Sequence, residues 1–275
     1  VLMDQYTGHV KAIVGGRGAK TTSLSLNRAT ASPKQPGSCF KVLSTYAPGL
    51  NECGMTLATT IKDEPYRYAS GQPVNNWDNK YIGSARVRYA IEHSMNVCAV
   101  RTLTETVGLE KGYKYLENFG FTTLVNNDPN YPGMSDIAQA TALGGITRGV
   151  YNIEMTAAYA AIANSGIYTE PLLYTEILDH DGNVLIDNSK PITRRVLKES
   201  TAFLLTSAMQ DVINRGTGTP ARLNNMPAAG KTGTTENSTD LWLSAYTPYY
   251  TCSVWTGYDE DKTLEQFWNQ SWHEV

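Results

Sequence analysis

The stretch Lys34-Gln-Pro-Gly-Ser-Cys-Phe-Lys41 sets a hydroxyl three residues before an amine, directly after a Pro-Gly pair suited to opening a helix. On a helix, Ser38 and Lys41 share one face within hydrogen-bonding reach, so an unprotonated Lys41 can take the hydroxyl proton as Ser38 attacks a carbonyl. That chemistry requires the lysine pKa to be depressed, by burial and by a second cation nearby. A capping serine followed by a solvated lysine fits the same letters. The pair alone leaves both readings open.

Two further clusters bear on the choice. Ser94-Met95-Asn96 falls between two helical segments, where a hydroxyl and an amide can project into a cleft. Ser25-Leu26-Asn27 has the same spacing but lies in the loop before Ser38, so the later copy is the candidate; a capping role for Ser94 is compatible with it. Lys231-Thr232-Gly233-Thr234 opens a strand behind the small residues Ala228, Ala229 and Gly230, which allow close approach of a ligand backbone. Lys231 offers charge, and Thr232 and Thr234 offer hydrogen bonds, to a carboxylate ligand. An ordinary Gly-Thr turn fits this stretch as well.

The elements that must position these residues follow from periodicity. The first residues, LMDQYTGHVKAIVGG, read as two strands turning at Tyr6-Thr7-Gly8, and this abrupt start suggests a piece of a longer protein. Residues 17–36 read as a loop. From Ser38 a helix is expected, with Phe40, Leu43 and Ala47 on an apolar back and Lys41 and Thr45 in front, stopped by Pro48-Gly49. Residues 62–83 read as a long surface loop. Helices are then expected near 84–92, from 97 to 121, at about 135–143 and at 152–164, so the middle third is expected to be all-helical. Asp181-Gly182 marks a hairpin within 174–186, 197–213 reads as a helix, and three strands close the chain, the last two turning at Thr247-Pro248-Tyr249-Tyr250.

Strands at both ends and helices between give an α/β (α+β) expectation: a central antiparallel sheet flanked by helices, closed by the two chain ends, with an inserted helical lobe. Its bounds are about 54–170 for the lobe, set between sheet-forming segments at about 1–50 and 171–275. With 275 residues, 41% of them hydrophobic, the chain can bury a large core. A net charge of −3, without a lysine or arginine run, argues against nucleic acid as partner. No window reaches the roughly 18 consecutive apolar residues of a membrane span. Cys39, Cys53, Cys98 and Cys252 form no Cys-x-x-Cys pair and have no histidine at metal spacing, so no metal site is expected. They read as small buried hydrophobes, with one disulfide left open.

Taken in order, Ser-x-x-Lys, Ser-x-Asn and Lys-Thr-Gly make the set shared by class A β-lactamases and penicillin-binding proteins. The surrounding segments SLNRATASPKQPGS (25–38), ALGGITRGVYNIEMTAAYAAIANSG (142–166), GTGTPAR (216–222) and GKTGTTENSTDLWLSAYTPYYTCSVWTGYD (230–259) resemble the transpeptidase domain of bifunctional class A penicillin-binding proteins over essentially the whole chain. The resemblance implies a β-lactamase/transpeptidase-like fold and a D,D-transpeptidase that cross-links peptidoglycan stem peptides ending in D-Ala-D-Ala and is acylated by β-lactams. It implies Ser38 as nucleophile and Lys41 as its base, with Ser94 relaying a proton to the leaving D-alanine, assisted by Lys231. Asn96 would hold Lys41 and the substrate amide; Lys231, Thr232 and Thr234, around Gly233, would receive the terminal carboxylate. The backbone N–H groups of Ser38 and Thr234 would form the oxyanion hole. It further implies no cofactor, an N-terminal membrane anchor and glycosyltransferase domain in the full-length protein, and action on the outer face of the cytoplasmic membrane. Asn75, Asn76 and Asp78 resemble a family segment leading to the Ser-x-Asn helix, and turn chemistry explains them equally well. Cys39 stands where relatives more often carry threonine and reads as packing.

Rival readings make different demands. A serine β-lactamase needs a deacylating base such as a glutamate, and Glu105, Glu110, Glu117 and Glu154 lack the Glu-x-x-x-Asn pattern. A D,D-carboxypeptidase would use water as acceptor, and a β-lactam sensor would acylate without turnover; the motifs leave both open. For a Ser-His-Asp hydrolase, none of His9, His93, His180 and His273 sits in a Gly-x-Ser-x-Gly context.

Overall fold

The computed structural model describes residues 1–264; the expectations for 265–275, His273 included, lie outside the described residues. The chain begins with β1 (Leu2–Met3) and β2 (Val10–Ala12), then a four-residue helix α1 (Arg28–Ala31). A 3₁₀ turn (Gly37–Cys39) and a π-helical segment (Lys41–Tyr46) lead into α2 (Ala47–Glu52). Two short ribbons follow, β3 (Thr60–Asp63) with β6 (Gly83–Arg86) around β4 (Tyr66–Arg67) with β5 (Pro73–Val74). Then come α3 (Val87–Glu92), α4 (Asn96–Thr102), α5 (Leu109–Asn118), α6 (Asn152–Ala163) and β7 (Ile167–Thr169). The exposed hairpin β8 (Glu176–Leu178) and β9 (Val184–Asp187) precedes β10 (Thr193–Arg195), which pairs with β7. α7 (Glu199–Asn214) leads to β11 (Ala229–Thr234), β12 (Asp240–Tyr246) and β13 (Thr251–Gly257).

The central sheet is antiparallel in the order β11-β12-β13-β1-β2, so the first strand pairs with the last, Leu2 opposite Cys252 and Met3 opposite Thr251. α7 covers β11, and α6 lies against β12 and β13 although it falls within 54–170. Residues 154–162 of α6 are buried around the whole helix, as expected for one sandwiched between layers rather than lying on a surface.

Local structure departs from the periodicity in instructive places. The segment after Ser38 is not one α-helix halted at Pro48-Gly49: it winds as 3₁₀, then π, then α through both residues to Glu52. Pro48 falls in the first turn of α2, where the missing N–H is no loss. The expected polar front is buried too, including Lys41 and Thr45. Within 17–36, Asn27 caps α1 by accepting from the Ala29 N–H at 3.1 Å, which gives the discarded Ser-x-Asn a purely local role. The 62–83 loop carries paired strands, because Asp63, fully buried, accepts hydrogen bonds from Asn76 and the Ile82 N–H and folds the segment back on itself. Strand β6 likewise delays the helix expected from 84 until Val87. Around 135–143 only Gln139–Leu143 winds, as 3₁₀, since the Asp136 carboxylate captures the N–H groups of Val125 and Thr147. All four cysteines are free, and burial pushes the Cys39 and Cys98 thiols up to about 11 and about 12.

Two glycines meet where the sheet, the lobe and the Ser38 turn converge. Gly37 has φ +53° and Gly144 φ +81°; a Cβ on Gly144 would stand 2.4 Å from the Gly37 carbonyl oxygen and 2.6 Å from its nitrogen. Gly144→Ala combines backbone strain with a collision against backbone. We expect it to lower unfolding free energy by about 3 kcal/mol, whereas Gly54→Ala, at φ +69° in open space, carries the strain alone at about 1 kcal/mol. Urea unfolding followed by tryptophan fluorescence distinguishes the two.

Candidate active site

The turn that carries Ser38 is fixed from four sides. The Lys34 backbone forms an antiparallel bridge with Val150, and the Gln35 side chain bonds both the N–H and the carbonyl of Ile146. The buried Trp242 indole donates to the Gln35 carbonyl at 2.8 Å, and the buried Tyr159 hydroxyl donates to the Cys39 carbonyl at 2.9 Å. Gly37 and Gly233 lack the side chains that would collide across the junction: a Cβ on either would reach the backbone of Thr234 or Pro36 within 3 Å. Between Pro36 and Gly49, Ser38 alone is not buried. The nucleophile candidate is therefore the one point where a rigid, buried segment meets solvent.

Lys41 follows in the π-helical segment, wholly buried. Its Nζ donates to the Ser94 carbonyl (2.5 Å), the Ser94 hydroxyl (3.1 Å) and the Asn96 Oδ1 (2.5 Å). Helical spacing led to an expected hydrogen bond from Ser38 to Lys41; instead the described side-chain hydrogen bonds of Lys41 all run to the Ser94-Asn96 turn. Lys231, in β11, is also wholly buried, and its Nζ donates to Ser94 Oγ and to the Thr232 carbonyl, both at 2.9 Å. One hydroxyl thus stands between two buried amines. Among the described residues, no carboxylate is hydrogen-bonded to Ser38, Lys41, Ser94 or Lys231.

Burial without an anion depresses both amines. Desolvation first, and the Lys231 charge second, hold Lys41 well below its ordinary 10.5. Desolvation brings Lys231 down to about 8. Lys41, meeting both burial and the neighbouring charge, is the amine that gives up its proton more readily, and Lys231 keeps its charge up to about pH 8.

Ser94 owes its place to the end of α3. Its N–H bonds the Ile91 carbonyl (3.2 Å) and the Met95 N–H bonds the Ala90 carbonyl (3.0 Å), the Schellman pattern that ends a helix with one left-handed residue. Ser94 is that residue, at φ +55°, a position usually held by glycine. It ends α3 rather than capping α4. The α4 N-terminus is capped from elsewhere: the Asn76 Oδ1 accepts from the N–H groups of Asn96 (3.0 Å) and Val97 (3.2 Å). On β11, strand alternation sets Thr232 and Thr234 on the face opposite Gly233. The Thr232 hydroxyl is 2.7 Å from that of Thr217, in the Gly216-Thr217-Gly218 loop, whose Thr217 N–H reaches the Glu92 carbonyl on α3. Arg215 ties that loop to Glu92 and Asp211. Of the supporting residues, Asn76, the Gly-Thr-Gly run, Tyr159 and Trp242 lie in segments whose likeness to the family was a signal; Asp63 carried none.

Residues 1–267 match the family model described as the penicillin binding protein transpeptidase domain. The chain belongs to that family. Penicillin-binding protein 1A of Clostridium acetobutylicum is 39% identical over 275 residues, covering 96% of this chain and 33% of that protein. Penicillin-binding protein 1F of Bacillus subtilis is 36% identical over 266 residues, covering 94% of this chain and 35% of that protein. The chain thus spans about a third of the curated relatives it matches. The crystal structure of penicillin-binding protein 1A from Haemophilus influenzae superposes with a TM-score of 0.81 at 26% identity, over 96% of this chain and 44% of that one. PonA1 from Mycobacterium tuberculosis in complex with penicillin V has the same fold, at a TM-score of 0.81 and 24% identity, over 96% of this chain and 69% of that one. This penicillin-binding transpeptidase domain therefore has the α/β architecture with an antiparallel central sheet that its sequence led us to expect.

The Schellman geometry makes a test available that separates backbone from chemistry. Ser94→Ala and Ser94→Gly both remove the shared hydroxyl, but only glycine relaxes at positive φ. Ser94→Gly is expected to be more stable than Ser94→Ala by about 1 kcal/mol in thermal or urea unfolding, with reaction at Ser38 slowed in both.

Proposed function

We propose that this domain is a serine D,D-transpeptidase acting on peptidoglycan stem peptides. The observation that carries the reading is the convergence of two carboxylate-free buried lysines on Ser94 Oγ, beside a solvent-reaching Ser38. Ser38 Oγ attacks the carbonyl joining the two terminal D-alanines while neutral Lys41 takes its proton, so an O–H bond breaks and a C–O bond forms. The N–H groups of Ser38 and Thr234 receive the developing oxyanion; such donors are each worth about 3 kcal/mol. Collapse breaks the C–N bond, and Ser94, between the two amines, passes a proton to the departing D-alanine and regains one from protonated Lys41. The acceptor amine of a second strand then attacks the ester, giving its proton to Lys41 as the new C–N bond forms, and the Ser38 C–O bond breaks as Lys41 returns that proton to Ser38 Oγ. Charged Lys231, with Thr232 and Thr234 flanking Gly233, receives the terminal carboxylate, and Asn96 orients Lys41 and the substrate amide. No cofactor takes part in this scheme.

A β-lactam presents the same carbonyl and carboxylate and acylates Ser38. The absence of a carboxylate hydrogen-bonded to the described site residues supports a persistent acyl-enzyme rather than lactamase turnover. We also take 1–275 to be one domain of a longer, membrane-anchored protein with a glycosyltransferase domain, working outside the cytoplasmic membrane. Within it, about 54–170 is read as the inserted lobe between segments at about 1–50 and 171–275, a lobe that carries the β3–β6 ribbons besides its helices and gives α6 to the cover of the sheet.

Intact-mass analysis with a β-lactam tests this. A lasting adduct on the parent chain and none on Ser38→Ala is expected; an adduct that decays within minutes favours a lactamase, and an equal adduct on Ser38→Ala removes Ser38 as nucleophile. Lys41→Arg, whose guanidinium stays protonated, should slow acylation by about 10²–10⁴-fold. The rate should rise with pH as Lys41 loses its proton, at a pH well below 10.5, and fall above about 8 as Lys231 loses the charge that holds the carboxylate.

A further inference from the structure

The Asn96 side chain can serve Lys41 only with its carbonyl, because Lys41 presents hydrogens. Its direction is set on the far side, where Asn96 Nδ2 donates to the Asn75 carbonyl at 2.7 Å, leaving Oδ1 to face Lys41. Asn75 is in turn placed by its neighbour. The Asn76 Oδ1 grips the N–H groups of Asn96 and Val97, which locks the Asn75–Asn76 segment to the first turn of α4.

Asn76 has the same choice of directions, and Asp63 decides it. An ionised carboxylate accepts hydrogen bonds and donates none. Asp63 Oδ1 accepts from Asn76 Nδ2 at 2.8 Å and its Oδ2 accepts from the Ile82 N–H at 2.8 Å, while the Lys80 carbonyl takes Asn76 Nδ2 at 2.9 Å. With two acceptors at the nitrogen, the oxygen of Asn76 points at α4. Asp63 is fully buried and Asn76 nearly so, and Asp63 forms no ion pair among the described residues, so these hydrogen bonds are what hold its carboxyl group in place.

We propose that Asp63 and Asn76 are positioning residues for the Ser38 reaction: a buried carboxylate orients one amide, which anchors the next so that its oxygen meets Lys41. The inference rests on reading Lys41 as the general base. Neither residue approaches the reacting atoms; both act through Asn96.

The test measures acylation of Ser38 by a fluorescent penicillin in the 275-residue chain. Asn76→Ala should slow it at least about tenfold, because a displacement near 1 Å in the machinery has effects of that size or more. Introduced into Asn96→Ala, the same change should alter the rate by less than about twofold, since its route of action is gone. Equal slowing in both backgrounds indicates a general structural role and overturns the proposal. If Asn76→Ala does not fold, the exchange decides. Asp63→Asn alone sets donors against donors and Asn76→Asp alone sets two carboxylates together, and each should be at least about tenfold slow. In the double variant Asp63→Asn with Asn76→Asp, the amide moved to position 63 gives its oxygen to the Ile82 N–H and a nitrogen hydrogen to the carboxylate moved to position 76. The new carboxylate at 76 also meets the Lys80 carbonyl, which took a hydrogen from Asn76, so recovery is partial: the double variant should be at least about threefold faster than either single one. A double variant as slow as the single ones overturns the proposal. An unlabelled parent, or label retained in Ser38→Ala, refutes the catalytic reading itself; a parent labelled at Ser38 with Asn76→Ala equally fast refutes only the positioning role.

Discussion

Two amines buried within reach of one hydroxyl, without a hydrogen-bonded carboxylate, impose the constraint around which this domain is arranged. Two unit charges in so small a dry volume repel strongly, and each alone is expensive to desolvate. The molecule resolves this by asymmetry: Lys231 keeps its proton up to about pH 8, and Lys41, meeting both burial and that neighbouring charge, yields its own earlier. The acceptors around them are neutral dipoles, the Ser94 carbonyl and hydroxyl, the Asn96 oxygen and the Thr232 carbonyl. A carboxylate in place of any of these would stabilise the charged amine and remove the base. Neutral dipoles must be aimed, which is why so much of the surrounding structure fixes directions rather than adding charge.

That aiming concentrates unusual backbone at the site. Ser94 takes a left-handed conformation where glycine would be relaxed, and it sets a hydroxyl at the end of α3 between the two lysines. The Ser38 segment changes winding twice within a dozen residues, and Gly37 and Gly144 press back to back beneath it. These features are held by dense packing: Phe40, Val42, Leu43 and Tyr46 are fully buried, and Trp242 and Tyr159 reach in with a hydrogen bond each. The strain is local and the support is distributed, so the lysines sit in a frame that does not relax around them.

The sequence disclosed the residues of this site more readily than the shapes that carry them. Ser38, Lys41, Ser94, Asn96 and Lys231 were singled out from type, spacing and order, and the structure links four of them in one hydrogen-bonded chain, Asn96 to Lys41 to Ser94 to Lys231. Helix α7 and strands β12 and β13 were legible from patterns that extend over many residues, and α6 from an unbroken run of helix-forming residues between Gly149 and Gly166. Pro48-Gly49 misled, because a proline reads as a stop unless the preceding turn is known to be wound differently. The 62–83 stretch hid its ribbons, because Asp63 and Asn76 act through pairing across 13 residues that no local pattern records. Asn76 was visible as a polar turn residue; what it holds became visible only when α4 lay beside it.

The pairing of β1 with β13 joins residues 250 positions apart, Leu2 with Cys252. Such a contact closes one of the longest loops among the described residues and carries a correspondingly large loop-closure entropy. During synthesis, the Ser38 turn emerges early, while β11 and Trp242, which press on it, follow some 200 residues later. Between those two events the nascent chain carries Ser38 and Lys41 without the burial that the folded domain gives them. The enclosure of Lys41 beside Lys231 waits until β11 has been made, and this order follows from the topology.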